Sequence, residues 1–239
     1  MAAYPGPVMP PDVLAAMVRA DPARPRITYY DDTPSPTAGE RIELSGRVLA
    51  NWVAKAANLL QDEWDIGPAR VVLLDLPAHW RSAYWSLAVW SVGATLALDG
   101  QAPDAVITDD PAATDRASDA ALVTLAALAR RATPAVAPGV VDEAADLATH
   151  PDVFHAWDAP DPTNAALRYG ATTIAYADLV QPRPSAVRVH LEDPSLQSFL
   201  RTAVDVWAAD GSVVVTRGRP DPDVLRRRDD VEGATRLTL

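Results

Sequence analysis

The sequence of 239 residues is acidic, with a formal net charge of −11, and 49% of its residues are hydrophobic. This composition is ordinary for a globular protein that buries a core. The negative charge disfavours nucleic acid and anionic membranes as partners, and no apolar run is long enough to cross a membrane. The absence of cysteine excludes disulfides, thiolate catalysis and cysteine metal sites.

The N-terminal segment and the basic residues give two further expectations. Met1 to Pro11 carries no positive charge and several prolines, unlike a signal peptide, so we expect a cytoplasmic protein. Arginine outnumbers lysine by twenty to one, which is typical of a GC-rich bacterial genome. Lys55 is therefore the one candidate for any reaction that needs a lysine, and its place in a predicted helix indicates a solvated surface residue.

Strands and helices alternate over the first hundred residues. Apolar periodicity and turn residues predict helices at 11–20, 45–66 and 80–92, and strands at 26–31, 41–44, 70–76 and 94–98. Ser45 is the predicted N-cap of the second helix. The strands at 26–31 and 41–44 form a predicted hairpin across the turn at 33–39.

The same alternation continues, with shorter elements. It predicts strands at 105–108, 122–125, 165–169, 187–191, 212–216 and 234–239, and helices at 142–148, 173–180, 196–208 and 220–228. Continuous apolar strands alternating with helices predict an α/β fold with mostly parallel sheets and helices on both faces. A stretch rich in Pro and Asp at 132–162 suggests a connection between an N-terminal lobe at 1–131 and a second lobe at 163–239.

This order of elements resembles the N-terminal domain of the adenylate-forming superfamily, which includes acyl-CoA synthetases, peptide-synthetase adenylation domains and luciferases. Glu43-Leu44-Ser45 matches the start of that family's first long helix, and Val71 to Pro77 matches the strand ending in Leu-Pro. Ser91 to Asp99 matches the helix end, Gly-Ala and apolar strand that follow, and Asp193 to Thr216 resembles a later helix and strand. Relative to the family, the sequence stops before the adenine-binding segment and the small C-terminal lobe.

The resemblance fails at the phosphate loop. The family has Thr-Ser-Gly-Thr-Thr-Gly-x-Pro-Lys-Gly, whose glycines let backbone N–H groups approach ATP phosphates closely. The aligned stretch here runs from Tyr169 to Tyr176 and keeps only Gly170, Thr172 and Thr173 as a vestigial nucleotide-phosphate loop. The eleven glycines are never closer than seven residues apart, so no glycine-rich phosphate motif fits anywhere. An ordinary strand-to-helix turn with Thr173 as N-cap is the other interpretation.

Other groupings favour structural roles. Histidines and carboxylates between 146 and 158 have residue types that bind metals, but their spacing and Pro-rich setting favour a solvated loop: Asp146, His150, Asp152, His155 and Asp158. The aromatic residues of the helix at 80–92 favour core packing over an acyl pocket. The run Arg226 to Arg228, followed by two aspartates, is expected to be a solvated helix end.

These observations predict a protein that keeps the adenylate-forming scaffold without its phosphate loop and binds a small acyl or nucleotide ligand, or a protein partner. We expect no catalytic residue, no metal site and no resident cofactor; ATP or AMP with Mg²⁺ would bind only if the vestigial loop still holds phosphate. One alternative is an acyl-adenylate or acid–thiol ligase subunit, either with residual activity or completed by a partner chain that supplies the missing lobe. Another is a structural or interaction module.

Overall fold

The computed structural model describes residues 7–237 and has the predicted α/β architecture of mostly parallel sheets with helices on both faces. The segment 1–11, on which the signal-peptide expectation rests, lies partly outside the described residues, as do the last two residues of the final predicted strand. No helix of the described part is long and apolar enough to cross a membrane.

A five-stranded sheet joins the two ends of the chain. Its strands, in spatial order, are β12 (Thr235–Leu237), β10 (Arg188–Glu192), β11 (Ser212–Arg217), β1 (Pro25–Asp31) and β2 (Arg41–Ser45). All neighbours are parallel except β1 and β2, which form the predicted hairpin.

A seven-stranded sheet is built from the middle of the chain. Its order is β7 (Val140–Asp142), β6 (Asp119–Leu122), β5 (Ala105–Thr108), β3 (Val71–Asp75), β4 (Thr95–Ala97), β8 (Ala165–Tyr169) and β9 (Thr172–Ala175). Only β8 and β9 are antiparallel. Each sheet takes strands from both sides of the connection at 132–162, so the predicted division into lobes does not coincide with the division into sheets.

Four helices form a layer that packs against both sheets. They are α1 (Pro10–Ala20), α2 (Gly46–Asn58), α3 (Trp80–Ser91) and α6 (Leu196–Ala208). Helix α3 packs on β1 as well as on β3 and β4, and all of its residues are buried. The prediction that its aromatic residues belong to the core is therefore confirmed. The main hydrophobic core lies in this layer.

Local signals explain where several helices begin and end. The Ser45 hydroxyl accepts from the Val48 amide at 3.3 Å, which confirms the predicted N-cap of α2. Helix α2 then widens into a π-helix turn at Leu59–Glu63 before it ends. The remaining α-helices are α4 (Glu143–Asp146), α5 (Tyr176–Leu179) and α7 (Pro222–Glu232), and 3₁₀ turns lie at Pro111–Arg116 and Leu147–Thr149.

Two predicted elements are wrong in place or type. The strand expected at 122–125 is β6 at 119–122, because alanines rather than larger apolar residues fill its buried positions. The helix expected at 173–180 is split, with β9 pairing back on β8 and only the four-residue α5 following. Thr173 and Ile174 are β-branched, which favours the strand.

The prediction of a solvated side chain fails for Lys55 and Arg228, whereas Arg226 and Arg227 are exposed as predicted. Lys55 is half-buried, and its Nζ donates to the carbonyls of Ala148, at 2.9 Å, and His150. Arg228 lies under α7, where its guanidinium pairs with Asp32 at 2.7 Å. Arg226 forms an exposed ion pair with Asp223. Polar side chains of the five-stranded sheet face α7, and the Arg228 guanidinium donates to one of them, the Thr216 hydroxyl, at 2.7 Å.

Candidate functional site

The stretch predicted as a vestigial phosphate loop is a tight β-hairpin. Tyr169 at the end of β8 pairs directly with Thr172 at the start of β9, so Gly170 and Ala171 alone make the turn. Gly170 has a φ of +53°, a left-handed conformation that glycine adopts without steric cost. A loop that must wrap phosphates with several backbone amides does not fit into two residues.

A carboxylate already uses the turn's amide. The Gly170 N–H donates to Asp99 Oδ2 at 2.7 Å, and Asp99 follows the end of β4, the neighbouring strand. The side chains of Thr172 and Thr173 are exposed. Thr173 lies within β9 and pairs with Arg168, so its interpretation as a helix N-cap is wrong; the residue before α5 is Ala175. The three predicted residues are thus adjacent, but beside a negative charge.

A second group of polar side chains lies where parallel strands end, the edge at which open α/β sheets bind ligands. We call Tyr29, Asp31, His79 and Arg217 the strand-end cluster. Tyr29 and Asp31 lie on β1, Arg217 ends the adjacent β11, and His79 follows β3 of the other sheet. The Tyr29 hydroxyl donates to Asp31 Oδ2 at 3.2 Å, and Arg217 Nη1 lies 3.8 Å from the same oxygen.

Asp31 is held as a carboxylate although it is almost fully buried. Burial raises its pKa, but hydrogen bonds from the Thr33 and Thr37 hydroxyls, at 2.5 Å each, and from the Thr33 amide outweigh that effect, and the net pKa is lowered. Arg217 contributes in the same direction. The turn of the β1–β2 hairpin therefore fixes a negative charge inside the molecule.

His79 presents one free nitrogen within the cluster. Its Nδ1 accepts from the Arg81 amide at 3.1 Å at the start of α3, which places the proton of the neutral ring on Nε2. Burial, and then the charges of Arg81 and Arg217, lower its pKa well below the ordinary value. The Tyr29 ring meets it edge-on, with centroids 4.3 Å apart. Among the described residues, Nε2 is buried without a hydrogen-bond partner.

An open cavity of about 480 Å³ adjoins this edge of the seven-stranded sheet. Asp109, directly after β5, lines it together with aliphatic residues of β6 and the segment that follows. Partial desolvation raises the pKa of Asp109, and the nearby Arg217 opposes that effect. Arg131 contributes a positive charge to the same wall. The volume is within the range of small-molecule sites, about 300–1,000 Å³.

Some polar groups of this region are already engaged within the protein, and others are free. His79 Nδ1 is committed to the α3 N-terminus and Asp31 to its hydroxyl partners, so neither is free to act as a base. Two polar groups stay available to a ligand: the Nε2–H of His79, which has no partner among the described residues, and the carboxylate of Asp109, which lines the cavity. Sequence reasoning missed these residues, although Asp31 and Arg217 end buried strands and Asp109 directly follows one.

The histidines and carboxylates between 146 and 158 do not converge. Within residues 7–237, no group of three His, Asp or Glu side chains is placed to hold a metal ion. His150 Nε2 instead lies 2.8 Å from Glu63 Oε1 at the end of the π-helix turn. This part of the chain is held along α2 through its backbone.

Solved structures with this fold are adenylate-forming enzymes. The N-terminal subdomain of NpsA from Klebsiella oxytoca, in complex with 3-hydroxybenzoyl-AMSN, superposes with a TM-score of 0.67 at 13% identity, over 98% of this chain and 60% of that one. An acyl-CoA synthetase from Brucella canis gives 0.67 at 14% identity, over 98% and 48%. The nonribosomal peptide synthetase FmoA3 gives 0.68 at 16%, over 98% and 26%. The chain thus spans less than two thirds of each, and the likeness establishes the fold of the N-terminal adenylate-forming subdomain.

A relative from Mycobacterium tuberculosis is much more similar in sequence. It is described as a TIGR03089 family protein and is 36% identical over 240 residues, which cover 94% of this chain and 96% of the relative. No family model matches the chain. With this identity over nearly the full length of both sequences, the chain belongs to the TIGR03089 family.

Proposed function

We propose that the protein is a non-catalytic member of the adenylate-forming fold that binds a small ligand. The observation that carries the proposal is the two-residue turn between β8 and β9, in the stretch that the sequence resemblance aligns with the family's ten-residue phosphate loop. The turn's amide donates to Asp99, and a carboxylate at that position repels the phosphates of a nucleotide. The single lysine, Lys55, is engaged with backbone carbonyls on α2.

The ligand site that the geometry favours is the cavity beside the strand-end cluster. Asp109 and Arg131 give its wall both signs of charge. An adjoining apolar chamber of about 260 Å³ shares Pro111, Leu122 and Pro134 with it. A few polar groups on a mainly apolar wall is the usual composition of a small-molecule site.

The test of the catalytic half of this proposal is ATP–pyrophosphate exchange by the purified protein. Aliphatic and aromatic carboxylic acids are supplied as substrates, and the Brucella canis acyl-CoA synthetase serves as the positive control under the same conditions. We expect no exchange above the no-enzyme rate. Exchange that depends on an added acid would refute the proposal.

The test of the binding half compares the protein with its Asp109→Asn and Arg131→Gln variants. A panel of small acids, amines and coenzyme A is screened by thermal unfolding, since a ligand that binds only the native state raises its stability. We expect a stabilising compound whose effect falls in at least one of these variants. A compound with equal effects on all three proteins binds elsewhere.

A partner-completed ligase is the second candidate. The structure of the NpsA N-terminal subdomain was obtained in complex with 3-hydroxybenzoyl-AMSN, so a subdomain of this fold binds that compound without the rest of its enzyme. Stabilisation of the present protein by 3-hydroxybenzoyl-AMSN would favour this candidate. Our proposal predicts no such effect, because the two-residue turn offers too few free backbone amides to bind the phosphate-like part of an adenylate.

The expected cofactors and location stay predictions. We propose that neither ATP nor AMP with Mg²⁺ is a resident ligand, for the reasons given for the hairpin. A cytoplasmic location agrees with the acidic, cysteine-free composition.

A further inference from the structure

An extended segment is clamped along helix α2 by three polar side chains. We call residues 148–157 the strap. Asn58 Nδ2 donates to the carbonyls of Pro151, at 2.9 Å, and Val153, at 3.0 Å. Gln61 Nε2 donates to the His155 carbonyl at 3.2 Å. We call Lys55, Asn58 and Gln61, whose side chains hold the strap, the clamp.

Lys55 Nζ holds the beginning of the strap through the carbonyls of Ala148 and His150. Gln61 Oε1 accepts from the Trp157 amide at 2.9 Å and holds its end. Lys55, Asn58 and Gln61 are three residues apart, so they follow one face of α2 into the π-helix turn. A π-helix turn of this kind is frequent at functional sites.

Along the strap, Phe154 is the residue that turns inward between 151 and 158, and its neighbours are exposed. Phe154 packs against the main core, while Val153 and Trp157 are 62% and 65% exposed. Asp152, His155 and Ala156 are exposed as well. An exposed indole held on a rigid backbone loses little conformational entropy on binding, and tryptophan is enriched among residues that dominate interface energies.

Four exposed carboxylates lie on or next to this surface, and one of them, Glu63, lies 2.8 Å from the half-buried His150 of the strap. Asp152 and Asp158 flank the apolar side chains on the strap, and Asp62 and Glu63 lie on the adjacent π-helix turn, all four exposed. The one cation of the clamp, the Lys55 ammonium, is occupied by carbonyl oxygens. A complementary surface is therefore apolar at its centre and basic at its rim.

We propose that the exposed face of the strap docks a basic protein segment whose apolar side chains pack against the Trp157 indole and are bordered by lysine or arginine side chains. The partner binds side chains rather than adding a strand, because α2 already occupies the carbonyls of Pro151, Val153 and His155. This surface shares no residue with the β8–β9 hairpin or the cavity, so the proposal goes beyond the proposed function and does not depend on it.

The test uses two fluorescein-labelled peptides of equal length and charge, one alternating Lys with Leu and one alternating Lys with Ser. Binding to the full chain is measured by anisotropy. We expect the Lys–Leu peptide to bind at least about tenfold more tightly than the Lys–Ser peptide. Trp157→Ser should remove that preference and leave the weak, salt-sensitive binding of the Lys–Ser peptide unchanged.

Two further variants separate the surface from general effects. Val231→Ser replaces an apolar residue on α7 that is more exposed than Trp157 and should change neither affinity. The double variant Asp152→Asn and Asp158→Asn should weaken both peptides and reduce their dependence on salt. Equal binding of the two peptides by the natural protein, or a Lys–Leu affinity that Trp157→Ser does not change, would overturn the proposal.

Discussion

Helices α3 and α7 each cover a sheet, but different forces hold them. Every residue of α3 is buried between the two sheets, and its aromatic side chains join the main core. Helix α7 has one buried residue, Leu225, and lies on the polar outer face of the five-stranded sheet. There Asp229 meets His190 and Arg236, and Glu232 accepts from side chains of β1, β2 and β10.

The comparison teaches that one sheet uses both kinds of stabilisation. On β10 and β11, Val189, Leu191, Val213 and Val215 face the core. At alternate positions, Arg188, His190 and Thr216 bond to side chains of α7. Arg228 completes this cover, since its guanidinium lies 3.8 Å from the Tyr30 ring centroid. Apolar burial gains free energy from area, while a charged cover depends on pairing and therefore on pH and salt.

The largest expected effect is a truncation in α3. Trp85 is fully buried, and replacing such a side chain by alanine costs about 3–5 kcal/mol because it removes apolar contacts and leaves a cavity. Urea unfolding of Trp85→Ala measures the loss. The matched change Trp157→Ala, at an exposed position, should leave the free energy of unfolding nearly unchanged. Similar losses in the two variants would contradict this view of α3.

A pair of substitutions on α7 sharpens the contrast between buried and exposed charges. Arg228→Gln removes a guanidinium that is 9% exposed and leaves Asp32 unpaired, so we expect a loss of about 2 kcal/mol in the free energy of unfolding. Arg226→Gln breaks an exposed pair with Asp223 and should cost less than about 0.5 kcal/mol. Equal effects would show that α7 is not held by its buried charges.

Acid should weaken the protein below about pH 6.5, the ordinary range of histidine. Burial lowers the pKa of His79 and of His190, in the latter against the opposing effect of Asp229. The unfolded chain therefore binds more protons than the folded one below that pH, and the free energy of unfolding falls as the pH is lowered. The fall for each histidine is at most about 1.4 kcal/mol per pH unit.

The variant His190→Asn isolates the share of α7 in this pH dependence. It should flatten the fall between about pH 6.5 and 4.5 without abolishing it, because His79 remains. At lower pH a further loss is expected from Glu232, whose pKa is lowered to about 2 by hydrogen bonds from Tyr30, Arg188 and Arg41 that outweigh the effect of burial. A pH profile of His190→Asn identical to that of the natural protein would exclude a role for His190.

The smallest expected effect concerns the strap. Lys55→Met removes two hydrogen bonds to strap carbonyls and should cost about 1 kcal/mol. Hydrogen exchange should show faster exchange in residues 148–157 and little change in α3. Arg47→Met, at an exposed position of the same helix, is the control and should leave the strap's exchange unchanged.

Much of the fold could be predicted because its core strands and helices carry strong periodic patterns. The hairpin at β1–β2, the buried α3 and the bounds of α6 all follow from apolar spacing and turn residues. The strand β6 was misplaced because alanine gives a weak signal. The segment at 173–180 was misassigned because the resemblance suggested a loop and helix where two β-branched residues form a strand.

The site was harder to predict because it depends on contacts distant in sequence. Asp31 and Arg217 lie 186 positions apart and meet only because β1 and β11 are neighbours. Arg228 was misjudged because the charge run was considered without the sheet beneath it; the alternation in Arg188-Val189-His190 already indicates a polar outer face. Lys55 was misjudged because its acceptors are carbonyls of a distant segment, which no side-chain pattern reveals.

The central claim is that the β8–β9 hairpin cannot hold a nucleotide. The most direct measurement is thermal unfolding with and without millimolar Mg-ATP or AMP, since a ligand at about 100 times its Kd adds about 2.7 kcal/mol to the stability of the native state. We predict an unchanged melting temperature with both nucleotides. A rise of several degrees that Asp99→Asn further increases would show that this hairpin binds phosphate, and would contradict the account.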